Sequence, residues 1–165
     1  MSKKKLATLI SKNTLTQCEN WLKKFPDDQK RSAVIEILKL VQRDHNGYLN
    51  EALINAVSDY LDIPSIYAYE VATFYSMFDM QEVGKHKIYF CISISCMLCG
   101  SDQLLSYIKN KLNINIDETT KDKKFTLKKA ECLAACGGAP VMLIDEKYYE
   151  NLTIEKINQI LENLE

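Results

Sequence analysis

The sequence predicts an α+β protein: an N-terminal small helical bundle followed by a small α/β sandwich. Three observations predict it. Apolar residues recur at helical spacing through residues 14–78, interrupted only by short turns, so neighbouring helices bury their apolar faces on one another. The period becomes strand-like after residues 79–86, where Gly84 and alternating charges mark the boundary between domains 1–82 and 83–165. Beyond that boundary strands and helices alternate, and five of the six cysteines fall between Tyr89 and Pro140.

In chain order, residues 1–12 are polar and Lys-rich with no clear period, which predicts a frayed, disordered arm with a short helical tail. Thr14 and Thr16 are candidate caps for a short helix that turns Leu15, Cys18 and Trp21 to one side, and Pro26 ends it. Cys18 reads as a small core hydrophobe. From Asp28 to His45 the stripe Ala33, Val34, Ile37, Leu38 and Val41 predicts one amphipathic helix, stopped by Asn46-Gly47 in left-handed conformation. Asn50 caps the next, whose stripe is Ala52, Leu53, Ala56, Val57, Tyr60 and Leu61, until Ile63-Pro64 breaks it. A fourth helix, Ser65 to Phe78, carries Tyr67, Tyr69, Phe74, Tyr75 and Phe78, and such an aromatic stripe predicts mainly core.

In the second half, Lys87 to Ile92 reads as a strand, and Ser101 as the cap of a helix with stripe Leu104, Leu105, Ile108 and Leu112. A polar loop over residues 115–124 leads to strands at Phe125–Leu127 and Pro140–Ile144. A last helix follows from Thr153, with Ile154, Ile157, Leu161 and Leu164 inward.

Composition narrows the chemistry. At 165 residues and 47% hydrophobic, the chain fills two small domains with modest cores. A net charge of −1, with 21 basic and 22 acidic residues spread along the chain, provides no electrostatic footprint for nucleic acid. The apolar run Leu6–Ile10 is too short for a secretory signal, and no later run approaches the ~20 residues of a membrane span, so no direct membrane insertion is expected. No Gly-x-Gly-x-x-Gly or phosphate-cradling loop occurs among the five glycines, so no nucleotide site of its own and no catalytic residue is expected.

Six cysteines in a reducing compartment point to metal ligation or redox chemistry rather than staples. Thiolates select iron–sulfur clusters and zinc over hard cations. Cys96-x-x-Cys99 suits a zinc knuckle, but Cys132 and Cys136 have three residues between them; Cys91, Cys96 and Cys99 also fit a plant-type ferredoxin spacing. Five thiols thus compete for four places. A Cys96/Cys99 thiol–disulfide pair at a helix mouth is a further reading, but it leaves Cys132 and Cys136 unused. The run Gly137-Gly138-Ala139 suggests backbone N–H groups free to approach sulfur.

Specific motifs carry a resemblance over nearly the whole chain. They are Ser32-Ala33 with its following helix, Gly47-Tyr48-Leu49, Tyr69-Glu70-Val71-Ala72-Thr73-Phe74-Tyr75, Val83-Gly84-Lys85, Ser95-Cys96-Met97-Leu98, Glu131-Cys132 through Pro140, and Tyr148-Tyr149-Glu150-Asn151-Leu152-Thr153. On these the chain resembles the E-subunit family of NADH-quinone oxidoreductase, respiratory complex I, whose members carry a thioredoxin-like [2Fe-2S] ferredoxin domain. The resemblance implies that Cys91, Cys96, Cys132 and Cys136 are the cluster ligands, and that Cys99, where the family usually has arginine, is a non-ligand substitution. It implies one [2Fe-2S] cluster here, with FMN and NADH bound by a partner subunit that exchanges single electrons with it. It also implies docking of the helical domain on that flavin/NADH-binding subunit, a large iron-sulfur subunit of the peripheral arm as neighbour, and a cytoplasmic location attached to the inner membrane through the complex. The small diaphorase subunits of NAD-linked hydrogenases and formate dehydrogenases share the module. A zinc-stabilised structural adaptor is the alternative of another class.

Overall fold

The two apolar periods fold separately: a computed structural model, describing residues 3–164, divides into one unit ending at Glu82 and another beginning at Val83. The first unit is helical, with α1 (Lys3–Leu9), α2 (Lys12–Leu22), a 3₁₀ segment (Asp27–Ala33), α3 (Val34–Asp44), α4 (Glu51–Leu61) and α5 (Ser65–Phe74). Ile37, Leu38 and Val41 of α3 and Ala56, Val57 and Leu61 of α4 form its centre, each removed from water. Burying a Leu, Ile or Val side chain contributes about 1.5–3 kcal/mol.

Several expectations change here. Residues 3–9 are not a disordered arm but helix α1, because Leu6 and Ile10, four apart on one face, both find the core. Residues 1 and 2 lie outside the described ones. Ser11, not Thr14 or Thr16, caps α2: its hydroxyl accepts from the Thr14 N–H at 3.2 Å, while the Thr14 hydroxyl donates to Asp44 at 2.8 Å. Residues 28–45 are not one helix. The run Asp27–Ser32 has no apolar side chain to bury, so it winds only as 3₁₀ turns with Gln29 out of helical conformation, and the α-helix starts at Val34. As expected, Asn46 and Gly47 both take positive φ, and Asn50 caps α4, accepting from the Leu53 N–H at 2.9 Å.

The largest difference concerns α5. It ends at Phe74, not Phe78, and its aromatic residues face outward: Phe74 is 80% exposed, with Ile66, Tyr69, Tyr75 and Met77 also exposed. The helix buries Ala68 and Ala72, small residues one turn apart that let it lie close on α4, and this contact leaves the bulky side chains outside. Only Phe78, at the end of the turn that follows, enters the core. The buried Gln42 holds that stretch, donating to the Met77 carbonyl at 3.0 Å and accepting from the Asp79 N–H at 2.8 Å.

The second unit is a five-stranded sheet with helices. Its elements are β1 (His86–Cys91), α6 (Ile94–Leu98), α7 (Ser101–Leu112), β2 (Glu118–Thr119), β3 (Phe125–Ala130), a 3₁₀ turn (Cys136–Gly138), β4 (Met142–Ile144), β5 (Lys147–Tyr149) and α8 (Ile154–Asn163). The sheet order is β2-β3-β1-β4-β5, with β1 parallel to β3 and the other pairs antiparallel. Ile88 and Phe90 of β1, Leu127 of β3, Met142 and Ile144 of β4, Ile108 of α7 and Ile157 of α8 form its core. This is the α+β architecture expected from the alternation of periods. Gly84 lies against β3 so closely that a Cβ there would stand 2.8 Å from the Phe125 carbonyl carbon.

Three short elements were not expected. β5 follows β4 through Asp145 and Glu146, both at positive φ, a two-residue hairpin turn without the glycine that normally signals it. β2 is two residues long and exists through its pairing with β3. Helix α6 is too short for its period to show. Gly100, not Ser101, precedes α7, and Ser101 is buried as its first residue. In α8 Thr153 caps as expected, but Ile154 is exposed at the first turn, ahead of the inward residues Ile157 and Leu161.

Candidate metal centre

Both cysteine groups follow the carboxyl ends of neighbouring parallel strands. Cys91 is the last residue of β1 and pairs in register with Ala130, the last of β3; the Ile92 N–H extends the ladder to the Ala130 carbonyl at 3.0 Å. Cys132 comes two residues after Ala130. In α/β sheets this end of the strands is where ligands collect, because chain leaves the sheet there and backbone polar groups become available. The Cys91 N–H donates to the Val141 carbonyl at 3.1 Å, so the segment entering β4 closes the third side.

Cys96 sits inside α6, one turn past Ser93, and is 1% exposed; Cys91 is 3% exposed. The two thiols pack together in one cluster with Val141, with Leu133, Ala135 and Ala139 against it. Burial pushes the Cys91 thiol up, but hydrogen bonds with the Ser93 hydroxyl and N–H, the Leu133 N–H and the Cys96 thiol outweigh this and set it below the ordinary thiol range. Cys96 goes the other way. Burial and its bond to Cys91 raise it, against the Val141 N–H that favours its thiolate. The two neighbouring thiols are thus pushed in opposite directions by their surroundings.

The facing loop is bent to present sulfur. Ala134 takes positive φ, and its N–H donates to its neighbour Cys132 Sγ at 3.3 Å. The turn from Cys136 to Gly138 is tied to the segment before α8 by bonds from the Asn151 N–H to the Gly138 carbonyl at 2.6 Å and from the Leu152 N–H to the Pro140 carbonyl at 3.1 Å. A Cβ on Gly138 would stand 2.6 Å from the Glu150 Cβ, so this approach requires glycine. Cys132 and Cys136 are exposed on the loop. Among the described residues no three His, Cys, Asp or Glu side chains close on one point; Cys91 and Cys96 lie together, and the loop that carries the exposed Cys132 and Cys136 packs Leu133, Ala135 and Ala139 against them.

Two expectations from sequence are corrected here. The N–H groups of Gly138 and Ala139 are not free for sulfur, because the 3₁₀ turn spends them on the Ala135 and Cys136 carbonyls at 3.1 and 3.3 Å. Sulfur is served instead by Ser93, Leu133, Ala134 and Val141. Backbone donors have no sequence signature, and only Ser93, a hydroxyl two residues after a cysteine, could have been found beforehand. Cys99, the C-cap of α6, is exposed, and its N–H is used on the Ser95 and Cys96 carbonyls. Cys96 is thus engaged with Cys91, and the Cys96/Cys99 exchange pair has no geometric support.

The donor set fits an iron–sulfur cluster: soft thiols from two loops, an apolar wall, and N–H groups directed at three of the sulfurs. The pattern that defines thioredoxin-like [2Fe-2S] ferredoxins matches residues 18–165. The chain belongs to this family. Among relatives of this ferredoxin, the NADH-quinone oxidoreductase E-subunit of Rickettsia felis is 45% identical over 153 residues, covering 93% of this chain and 92% of that protein. The NADH dehydrogenase [ubiquinone] flavoprotein 2, mitochondrial, of Dictyostelium discoideum is 36% identical over 94% of this chain and 63% of its own length. The fold also matches part of an NAD+-reducing [NiFe]-hydrogenase crystal structure, with TM-score 0.68 and 17% identity over 82% of this ferredoxin and 22% of that chain. At that identity the likeness is one of fold. Among the described residues no helix is long and apolar enough to cross a membrane.

Proposed function

We propose that this ferredoxin is the electron-transfer subunit of an NADH-quinone oxidoreductase, with Cys91, Cys96, Cys132 and Cys136 as ligands of its [2Fe-2S] cluster and with FMN and NADH bound by a partner subunit. The observation that carries the reading is the buried, clustered Cys91/Cys96 pair beyond the end of β1, against which the loop of Cys132 and Cys136 packs its apolar residues. The 45% identity to the Rickettsia felis protein, over nearly the full length of both chains, supports the choice of host complex over a hydrogenase or formate dehydrogenase.

When bound, the cluster supplies one-electron redox chemistry, the complement of the two-electron hydride chemistry of NADH and flavin. The chain's own residues hold it. Cys91 and Cys96 would each give up a thiol proton on ligation. The Leu133 and Val141 N–H groups orient the two sulfurs, and Val141 with the apolar loop residues keeps water from them. The helical unit serves docking. Its support is the face of α5, where Tyr69, Phe74, Tyr75 and Met77 stay exposed beside an open groove lined by Glu70, Val71 and Thr73. The flavin/NADH-binding subunit is the proposed occupant, with the large iron-sulfur subunit of the peripheral arm next to it. The complex places the chain at the cytoplasmic side of the inner membrane.

The purified chain should be red-brown and contain iron and acid-labile sulfide. A colourless protein with bound zinc rejects the reading in favour of a structural adaptor. Serine at Cys91, Cys96, Cys132 or Cys136 should bleach the visible spectrum, whereas Cys99→Ser should keep it; the reverse pattern rejects the ligand assignment.

A further inference from the structure

Among the described residues, four α-helices begin at a residue whose side-chain oxygen is suited to capping, and three of them use it. Ser11, Asn50 and Thr153 accept from the backbone N–H three residues on, at 3.2, 2.9 and 3.2 Å. Ser93, at the start of α6, makes no such bond. Its Oγ lies instead 3.5 Å from Cys91 Sγ. A cap side chain typically contributes about 1 kcal/mol to its helix, so a hydroxyl diverted from that role to a sulfur has been given another.

The direction of the bond follows from the chemistry of sulfur. While Cys91 is a thiol, its S–H donates to the Ser93 oxygen. A cysteine that ligates metal has lost that proton and offers only lone pairs. The contact then persists only if the Ser93 O–H turns round and donates to sulfur. One-electron reduction adds one negative charge to the centre without making or breaking a covalent bond, and a donated hydrogen bond strengthens as its acceptor becomes more negative. A donor at this sulfur therefore favours the reduced state over the oxidised one.

We propose that Ser93 is a positioning residue that donates its hydroxyl hydrogen to the Cys91 sulfur in the cluster-bound protein and raises the reduction potential of the centre. This rests on the cluster assignment above, and the test separates the two. The full-length chain carrying its cluster is titrated with dithionite and followed by spin resonance and visible absorption, as wild type, Ser93→Ala, Ser93→Thr and, as a neighbour within α6, Ser95→Ala. Loss of the hydroxyl in Ser93→Ala should disfavour reduction by about tenfold, a midpoint lower by about 59 mV for one electron. Iron and sulfide contents should stay at the wild-type level. Ser93→Thr, which keeps a hydroxyl, and Ser95→Ala should titrate with wild type. A Ser93→Ala protein with full cluster content and an unchanged midpoint overturns the role of Ser93 alone. So does one that cannot hold a cluster at all, since the hydroxyl would then build the loop rather than tune it. A wild-type chain without iron, sulfide or a reducible chromophore rejects the cluster assignment and this inference with it.

Discussion

At the scale of single residues, polar side chains of this ferredoxin are placed where backbone would otherwise go unsatisfied, and their contribution depends on charge. Asp44, at the end of α3, is the clearest case. Its carboxylate accepts from the Ser11 N–H at 2.7 Å and from the Thr14 hydroxyl at 2.8 Å, and these bonds, the Ser11 N–H foremost, hold its pKa below the ordinary aspartate value. A depressed folded-state pKa means stabilisation that is complete above the unfolded value, about 3.9, and lost as pH falls through the folded value. Asp44→Asn should therefore lower stability by about 1 kcal/mol at neutral pH, a modest figure because the group is exposed and screened. The gap to wild type should close below about pH 4. Denaturant melts of both proteins at several pH values check this; a gap that widens in acid contradicts it. Cys18 shows the opposite environment: fully buried in the helical core, its thiol is pushed up to about 11 by desolvation, as suits a small apolar filler with no ligand role.

At the scale of elements, α5 separates hydrophobic composition from hydrophobic burial. Its sequence is the most aromatic in the chain, yet Ala68 and Ala72 make its packed face, and Phe74 is 80% exposed. Phe74→Ala should accordingly leave the thermal stability of the isolated chain within about 0.5 kcal/mol of wild type. Phe78→Ala, at a site only 6% exposed, should cost about 3–5 kcal/mol. Thermal unfolding monitored by circular dichroism distinguishes them. If the face of α5 is the docking surface, Phe74→Ala should also weaken co-purification with the flavin-bearing subunit. Normal assembly with Phe74→Ala would move docking to another face.

At the scale of the whole molecule, two separately folded units divide the work proposed for them, electron transfer in one and docking in the other. The chain shows no glycine-rich dinucleotide loop. Hydride carries two electrons and a [2Fe-2S] centre takes one, so something outside this chain has to split the pair. Dithionite should bleach the isolated protein and give a rhombic spin-resonance signal, while NADH alone should leave it oxidised until the flavin subunit is added. Stoichiometric reduction by NADH in a preparation free of flavin would require a nucleotide site within this chain.

What the sequence determined by itself is what a few neighbouring residues can encode. The apolar stripes of α3, α4 and α7, the cap at Asn50, the left-handed stop at Asn46-Gly47 and the change from helical to strand period are local signals, and they specified the α+β architecture. The spacing of the cysteines narrowed the chemistry to soft-metal or redox sites, and the motif resemblance pointed to the family. Tertiary structure decided the rest, because the decisive contacts join residues far apart in the chain. Only the parallel pairing of β1 with β3 brings the loop of Cys132 against Cys91, so that Leu133 packs on it. Burial of α1 depended on a core assembled from later helices, and the outward face of α5 on two alanines meeting α4. β5 formed on a turn with no glycine to announce it. Periodicity records that a face will be covered, whereas which face, and by what, is settled by the free energy of packing the assembled elements together.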